Sequence, residues 1–217
     1  SGMALYFFAL LGRTKDAQQT AKKTFIIIGG SDAFLILGFT LMWFLQPGAG
    51  WTMSSYSVPL SNSTAIFAFI LLLIAAFAKA GGFPFHTWVP DFSKDAPIES
   101  AAFLPASLDK LLGIYLLARM MISYFTVELV VNLIVVTLGA LTVITAVMMA
   151  MNQHNGRKLL GYHAVSQVGY MIMGVGSGSV LAFAGGLFHL INHTIYKSNL
   201  FLSLGSVEKK TGTNELD

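Results

Sequence analysis

The sequence predicts an all-α bundle of membrane-spanning helices, and three observations carry that expectation. Charged residues make up 11% of the 217 and hydrophobic residues 55%, with a mean hydropathy of +0.69. Ordinary globular chains hold about 25% charged residues, so this one has too few to cover a water-facing surface, and too many apolar groups to stay disordered. Apolar runs of about 20 residues, the length that crosses a bilayer, recur along the chain. Finally, lysine and arginine are sorted between alternate loops.

Taken in order, residues 3–11 are too short to cross and read as the tail of a span that began upstream. Residues 24–45 form a full span with Asp32 inside. Residues 64–80 run apolar to Lys79, where Gly81-Gly82-Phe83-Pro84 predicts a break in the helix. Residues 98–122 carry Asp109 and Lys110, with Pro97 and Pro105 placed to distort the helix and free carbonyls. Residues 127–150, 158–176 and 180–206 complete six spans plus the partial one, in a single membrane domain over 1–217. Alternating the loops puts Arg13, Lys15, Lys22, Lys23, Lys94, Arg157, Lys158, Lys209 and Lys210 on one side and Arg119 alone on the other. The first side is expected to face the cytoplasm or an equivalent compartment. The uncharged 46–63 loop faces away, with Trp51 and Tyr56 suited to an interfacial belt.

Several functional classes drop out. There is no cysteine, hence no disulfide and no thiolate-held metal cluster. A net charge of +3 suits basic membrane loops and does not indicate nucleic acid. The first apolar run has no basic residues before it and does not read as a signal peptide. Gly174-x-Gly176-x-Gly178 follows no strand and is rejected as a nucleotide loop. Asn62-Ser63-Thr64 fits the glycosylation pattern, which is frequent by chance.

The residues that oil should not tolerate are the candidates for chemistry. A charge at the bilayer centre costs about 2.5–3.5 kcal/mol on insertion scales. His189-x-x-x-His193-x-x-x-Lys197 places three titratable groups on one helix face, flanked by Thr194 and Ser198. Imidazole and amine both exchange protons, so the stripe predicts a proton path. Two other readings stay open: polar glue between helices, and a zinc site on the two histidines, which lacks an acidic third ligand nearby. Lys110 lies mid-span, where snorkelling is strained. Lys79 becomes internal if the helix resumes after its break. Asp32 is placed to close an ion pair with one of these lysines. Asp109 points about 100° away from Lys110 on its helix and need not be its partner. His86 beside the break, together with His163, Ser166, Gln167 and Tyr170, offers supporting polar groups that either hold water or bond between helices. No cofactor or metal is expected.

Four segments together resemble a known family: AAFAKAGGFPFHTWVPDFSKDAPIE at 75–99, AAFLPASLDKLLGIYLLAR at 101–119, GRKLLGYHAVSQVGYM at 156–171 and FHLINHTIYKSNLFLSLGSV at 188–207. They are similar to the antiporter-like membrane subunits of respiratory complex I, of multisubunit sodium/proton antiporters and of membrane-bound [NiFe] hydrogenases of the formate hydrogenlyase type. The 107–119 stretch looks nearest to the hydrogenase-linked branch. The resemblance implies an inverted-repeat antiporter-like fold. It implies a broken-helix lysine matching Lys79, a central lysine matching Lys110, and a linking His-His-Lys stripe matching His189, His193 and Lys197. It also implies other membrane subunits as partners, H+ (or Na+) as the transported ion, and a prokaryotic plasma membrane as the location. The family's glutamate before the basic loop and its later broken helix fall outside this sequence. The expectation is therefore a central fragment of a longer subunit, without the charge partner of Lys79. The resemblance implies proton translocation driven by a partner's redox reaction, with a sodium/proton antiporter module as the alternative.

Overall fold

The computed structural model describes residues 2–48 and 56–216, so the place of Trp51 lies outside the described residues. Nine helices follow one another among them. The first is α1 (Gly2–Leu10). The second, α2 (Ala17–Leu45), has 29 residues and at 1.5 Å per residue outreaches a bilayer core of about 30 Å. It starts seven residues before the apolar run does. Lys22 and Lys23 thus sit on a helix rather than in the expected loop. The charged end projects beyond the oil, and Lys23 meets Asp91 at 2.7 Å.

Helix α3 (Ser63–Ala80) is capped by Asn62, whose Oδ1 accepts from the Ala65 amide at 2.7 Å. That structural duty accounts for Asn62 in the apparent glycosylation pattern. Gly81 ends the helix in the left-handed region at φ 77°, and a Cβ there would lie 2.7 Å from Val89 Cγ2. A tight turn at Phe85–Thr87 leads into α4 (Trp88–Asp95). The break therefore falls where the glycines and proline place it. Lys94, read as a loop residue, belongs to α4, because eight residues suffice for a short helix that packs on α2 and α8.

The next rod is composite: α5 (Ile98–Phe103), a π turn at Leu104–Leu108 containing Pro105, α6 (Asp109–Arg119), and a second π turn at Met120–Tyr124. The chain closes with α7 (Leu129–Met151), α8 (Gly156–Gly176) and α9 (Val180–Thr211). The last runs past the expected end at 206, so Lys209 and Lys210 are helical. One small departure from an all-α fold is β1 (Val58–Pro59), which pairs in parallel with β2 (Phe125–Thr126).

Among the described residues four stretches are long and apolar enough to cross a bilayer: Ala17–Leu45, Ser63–Asp95, Ile98–Tyr124 and Leu129–Met151. The residue distribution is inverted relative to a soluble protein. Val180 and Leu181 are 88% and 84% exposed, whereas Lys110 and Lys197 are 1% and 0% exposed. Charges sort by end, as the loop count predicts. At one end Thr14 and Lys94 reach Asp95 and Asp16, Lys158 approaches Asp91, and Arg157 binds Glu208 and the Ala96 carbonyl. At the other lie the β1–β2 pair, the Gln46–Ser57 bonds and half-buried Tyr56.

Small residues set the closest approaches, the usual device where oil gives no hydrophobic drive between helices. A Cβ on Gly113 of α6 would lie 2.4 Å from the Ala80 amide of α3. Gly139 of α7 and Gly169 of α8 face each other's carbonyls, and Gly174 of α8 meets Gly186 of α9. The Gly174–Gly178 segment thus serves packing and the α8–α9 turn.

Candidate functional site: a row of buried basic side chains

Begin at α2 and α3. Asp32 accepts an ion-paired hydrogen bond from the Lys79 ammonium. Asp32, read as placed to close an ion pair with one of the lysines, is therefore the acid beside Lys79. The acid comes from α2, which lies along α3 with Asp32 partway down its length. Lys79 is buried on the last turn of α3 before the break. The break itself is fastened on two sides. Trp88 Nε1 donates back to the Ala78 carbonyl at 3.0 Å, and the Phe83 amide donates to Thr142 Oγ1 of α7 at 3.1 Å. His86 is buried there and stacks on Phe83, with ring centroids 5.8 Å apart, and neither ring nitrogen has a hydrogen-bond partner among the described residues.

Across the Gly113 contact lies α6. Asp109 and Lys110 are each 1% exposed, and neither the Asp109 carboxylate nor Lys110 Nζ has a hydrogen-bond partner among the described residues. Successive residues of α6 are set about 100° apart around its axis, so Asp109 and Lys110 leave the helix in different directions.

Helices α8 and α9 supply the rest. Lys197 is fully buried, with Nζ 2.8 Å from His163 Nδ1 and 5.9 Å from the Phe201 ring centroid. His193 is also fully buried, its ring 6.2 Å from that of His189 and 5.2 Å from that of Tyr196. His189 is half-buried and bonds Gln167 Oε1 at 3.0 Å, and Tyr196 reaches the same oxygen at 3.4 Å. The His189–His193–Lys197 stripe thus faces a second polar stripe, His163 and Gln167, four residues apart on α8.

Some expected helpers are occupied elsewhere. Ser166 donates to the His163 carbonyl and Thr194 to the Leu190 carbonyl, both on their own helices. Ser198 donates to the Ala102 carbonyl at 3.0 Å, tying α9 to α5 near Pro105. These hydroxyls act as backbone glue. Tyr170 is exposed and makes an edge contact with His189 at 6.4 Å. His163 makes a direct contact with Lys197 that its sequence position understates, and Tyr196 is a neighbour that sequence reasoning misses. The spacing of Tyr196 three residues after His193, and of Gln167 four after His163, is the available signal. Among the described residues no three histidine, cysteine or acidic side chains come together to hold a metal ion. The two stripe histidines therefore find no third ligand there.

The site is a row: Asp32 with Lys79, then Asp109 and Lys110, then Lys197 with His163, then His193 and His189. Every member but Asp32, His163 and His189 is buried. Such an array can bind a proton at many points and hold few of them at once, since like charges in a low dielectric repel.

A family model described as "NADH:quinone oxidoreductase/Mrp antiporter, TM" matches residues 1–217. A chloroplastic NAD(P)H-quinone oxidoreductase subunit 5 of Nephroselmis olivacea is 32% identical over 214 residues, covering 95% of this chain and 32% of that protein. A Na(+)/H(+) antiporter subunit of Alkalihalophilus pseudofirmus is 30% identical over 217 residues, covering 99% of this chain and 44% of that one. A chain of the Mrp complex from a Dietzia species superposes with a TM-score of 0.85 at 28% identity, covering 98% of this chain and 23% of that chain. The chain thus spans about a third of the first of these relatives and under half of the second.

Proposed function

The chain belongs to the NADH:quinone oxidoreductase/Mrp antiporter membrane family, and we propose that it is the proton-conducting core of a longer membrane subunit in a redox-driven complex. It is an integral membrane protein. In this reading six helices cross the bilayer, with α1 as part of a seventh, and the whole is part of an inverted-repeat antiporter-like fold. The location is a prokaryotic plasma membrane, and the partners are the other membrane subunits of a quinone oxidoreductase or membrane-bound hydrogenase. Electrons travel elsewhere, in those partners.

One observation carries the proposal: Lys79, Lys110 and Lys197, on three different helices, are each at most 8% exposed. Asp32 pairs with Lys79 at the start of the line, and moving one charge against 100 mV takes about 2.3 kcal/mol, which the partner's redox reaction supplies. Lys110 then relays toward Lys197 and His163, and His193 and His189 continue the line.

The test is replacement of Lys110 or Lys197 by alanine in the full subunit, assembled in its complex, with acidification of inverted membrane vesicles as the readout. Loss of acidification with the complex intact is expected. Undiminished pumping would overturn the proposal. The second reading, a module of a sodium/proton antiporter, is favoured by 30% identity to an antiporter subunit over 99% of the chain. It predicts Na+ movement driven by a pH gradient alone, with no electron donor or acceptor present.

A further inference from the structure

The proton row contains one group that the relay above does not employ. We propose that Asp109 is a proton-carrying carboxylate set between Lys79 and Lys110. The inference rests on the proton-conducting reading.

Position comes first. Asp109 precedes Gly113 by four residues, so both lie on one face of α6. Gly113 touches the Ala76 and Ala80 backbone of α3, and the face that carries Asp109 is therefore turned to the end of α3, where Lys79 stands. Lys110 follows Asp109 in sequence and leaves α6 about 100° around its axis. His193 and Lys197 of α9 are buried, and His163 of α8 bonds Lys197. Asp109 is the acid of the row that lies on α6, the helix that carries Lys110 and packs on α3.

Structural duties do not account for it. A carboxylate in the first turn of a helix is ordinarily held by free amides. Here α6 continues from the π turn, and the Asp109 amide is itself bonded to the Leu104 carbonyl. Polar groups used as glue in this bundle, Ser166, Thr194 and Ser198, each bond a carbonyl. Both Asp109 oxygens are buried without a hydrogen-bond partner among the described residues. An acid that alternates between neutral and charged forms is what a relay uses.

Proton and charge balance at each transfer. An Nζ–H bond of the Lys79 ammonium breaks and an O–H bond forms on Asp109, leaving a neutral amine and a neutral acid. The O–H bond then breaks as an Nζ–H bond forms on Lys110.

The test compares Asp109→Asn, Asp109→Glu and Lys110→Ala in the full subunit within its complex, reading vesicle acidification and the infrared difference band of a protonated carboxylic acid. Asp109→Asn is expected to lower proton flux by roughly tenfold or more and to remove the band. Asp109→Glu is expected to restore most of the flux with a shifted band. If Asp109→Asn pumps normally while Lys110→Ala does not, the inference falls and the proton-conducting reading stands. If both pump normally, the reading beneath falls as well. Should Asp109→Asn fail to assemble, Asp109→Glu decides: flux with a titrating acid band supports the relay, and an assembled complex without either overturns it.

Discussion

Gly113 offers the sharpest test of how the bundle holds its lysines. A Cβ built there lies 2.4 Å from the Ala80 amide nitrogen, 2.7 Å from the Ala76 carbonyl oxygen and 2.8 Å from Ala80 Cα. All three are backbone atoms of α3, so no side-chain rotation relieves the clash. Ordinary contact begins at 3.4 Å, and Gly113→Ala therefore pushes α6 and α3 apart by about 1 Å. Overpacking of this kind costs about 1–3 kcal/mol. The displaced residues are Lys79, next to Ala80, and Lys110, three before Gly113, so proton flux should fall as well; misplacement of reacting groups by 1 Å can cost on the order of 100-fold. Gly185 of α9 supplies the control, since a Cβ placed on it meets nothing within 4 Å. Alanine is the better helix former by about 1 kcal/mol, and Gly185→Ala should be neutral or stabilising. The assay is the thermal unfolding midpoint of the full subunit in nanodiscs, alongside vesicle acidification. A Gly113→Ala midpoint equal to or above that of Gly185→Ala would refute the reasoning.

Two further substitutions probe the supports of the site. Trp88→Phe keeps an aromatic ring but removes the donor that reaches the Ala78 carbonyl across the helix break; a cost of about 1 kcal/mol should appear as faster amide exchange over residues 81–88 by mass spectrometry, and unchanged exchange there would count against a stitched break. Asp95, 3% exposed, accepts from Thr20 Oγ1 at 2.6 Å and Thr14 Oγ1 at 3.0 Å, so Asp95→Ala combined with Thr20→Val should give a coupling energy of about 0.5–3 kcal/mol in a double-mutant cycle on thermal stability; additive effects would show the contact to be idle.

Much of this architecture is legible in the sequence. Hydropathy locates the runs because transfer into oil is a sum over residues, and glycine and proline locate the break because they remove helix geometry locally. The stripe on α9 is legible because its four-residue spacing is a property of one helix. Partners between helices are not. His163 and Lys197 are 34 residues apart, and nothing in either local sequence specifies how α8 and α9 rotate against each other. The early start of α2 is hidden because a hydropathy window records only the part in oil, while the helix continues into the charged layer, where Lys23 finds Asp91. Ser166 and Thr194 read as site helpers because hydroxyls carry the chemistry, yet each satisfies a carbonyl one turn back on its own helix.

The glycine contacts along α8 carry a mechanical consequence. With Gly169 against α7 on one flank and Gly174 against α9 on the other, this helix is wedged like a keel between its neighbours. A movement that separated α8 from them would have to open both backbone contacts, whereas the swing of a lysine stem or an imidazole ring would disturb neither.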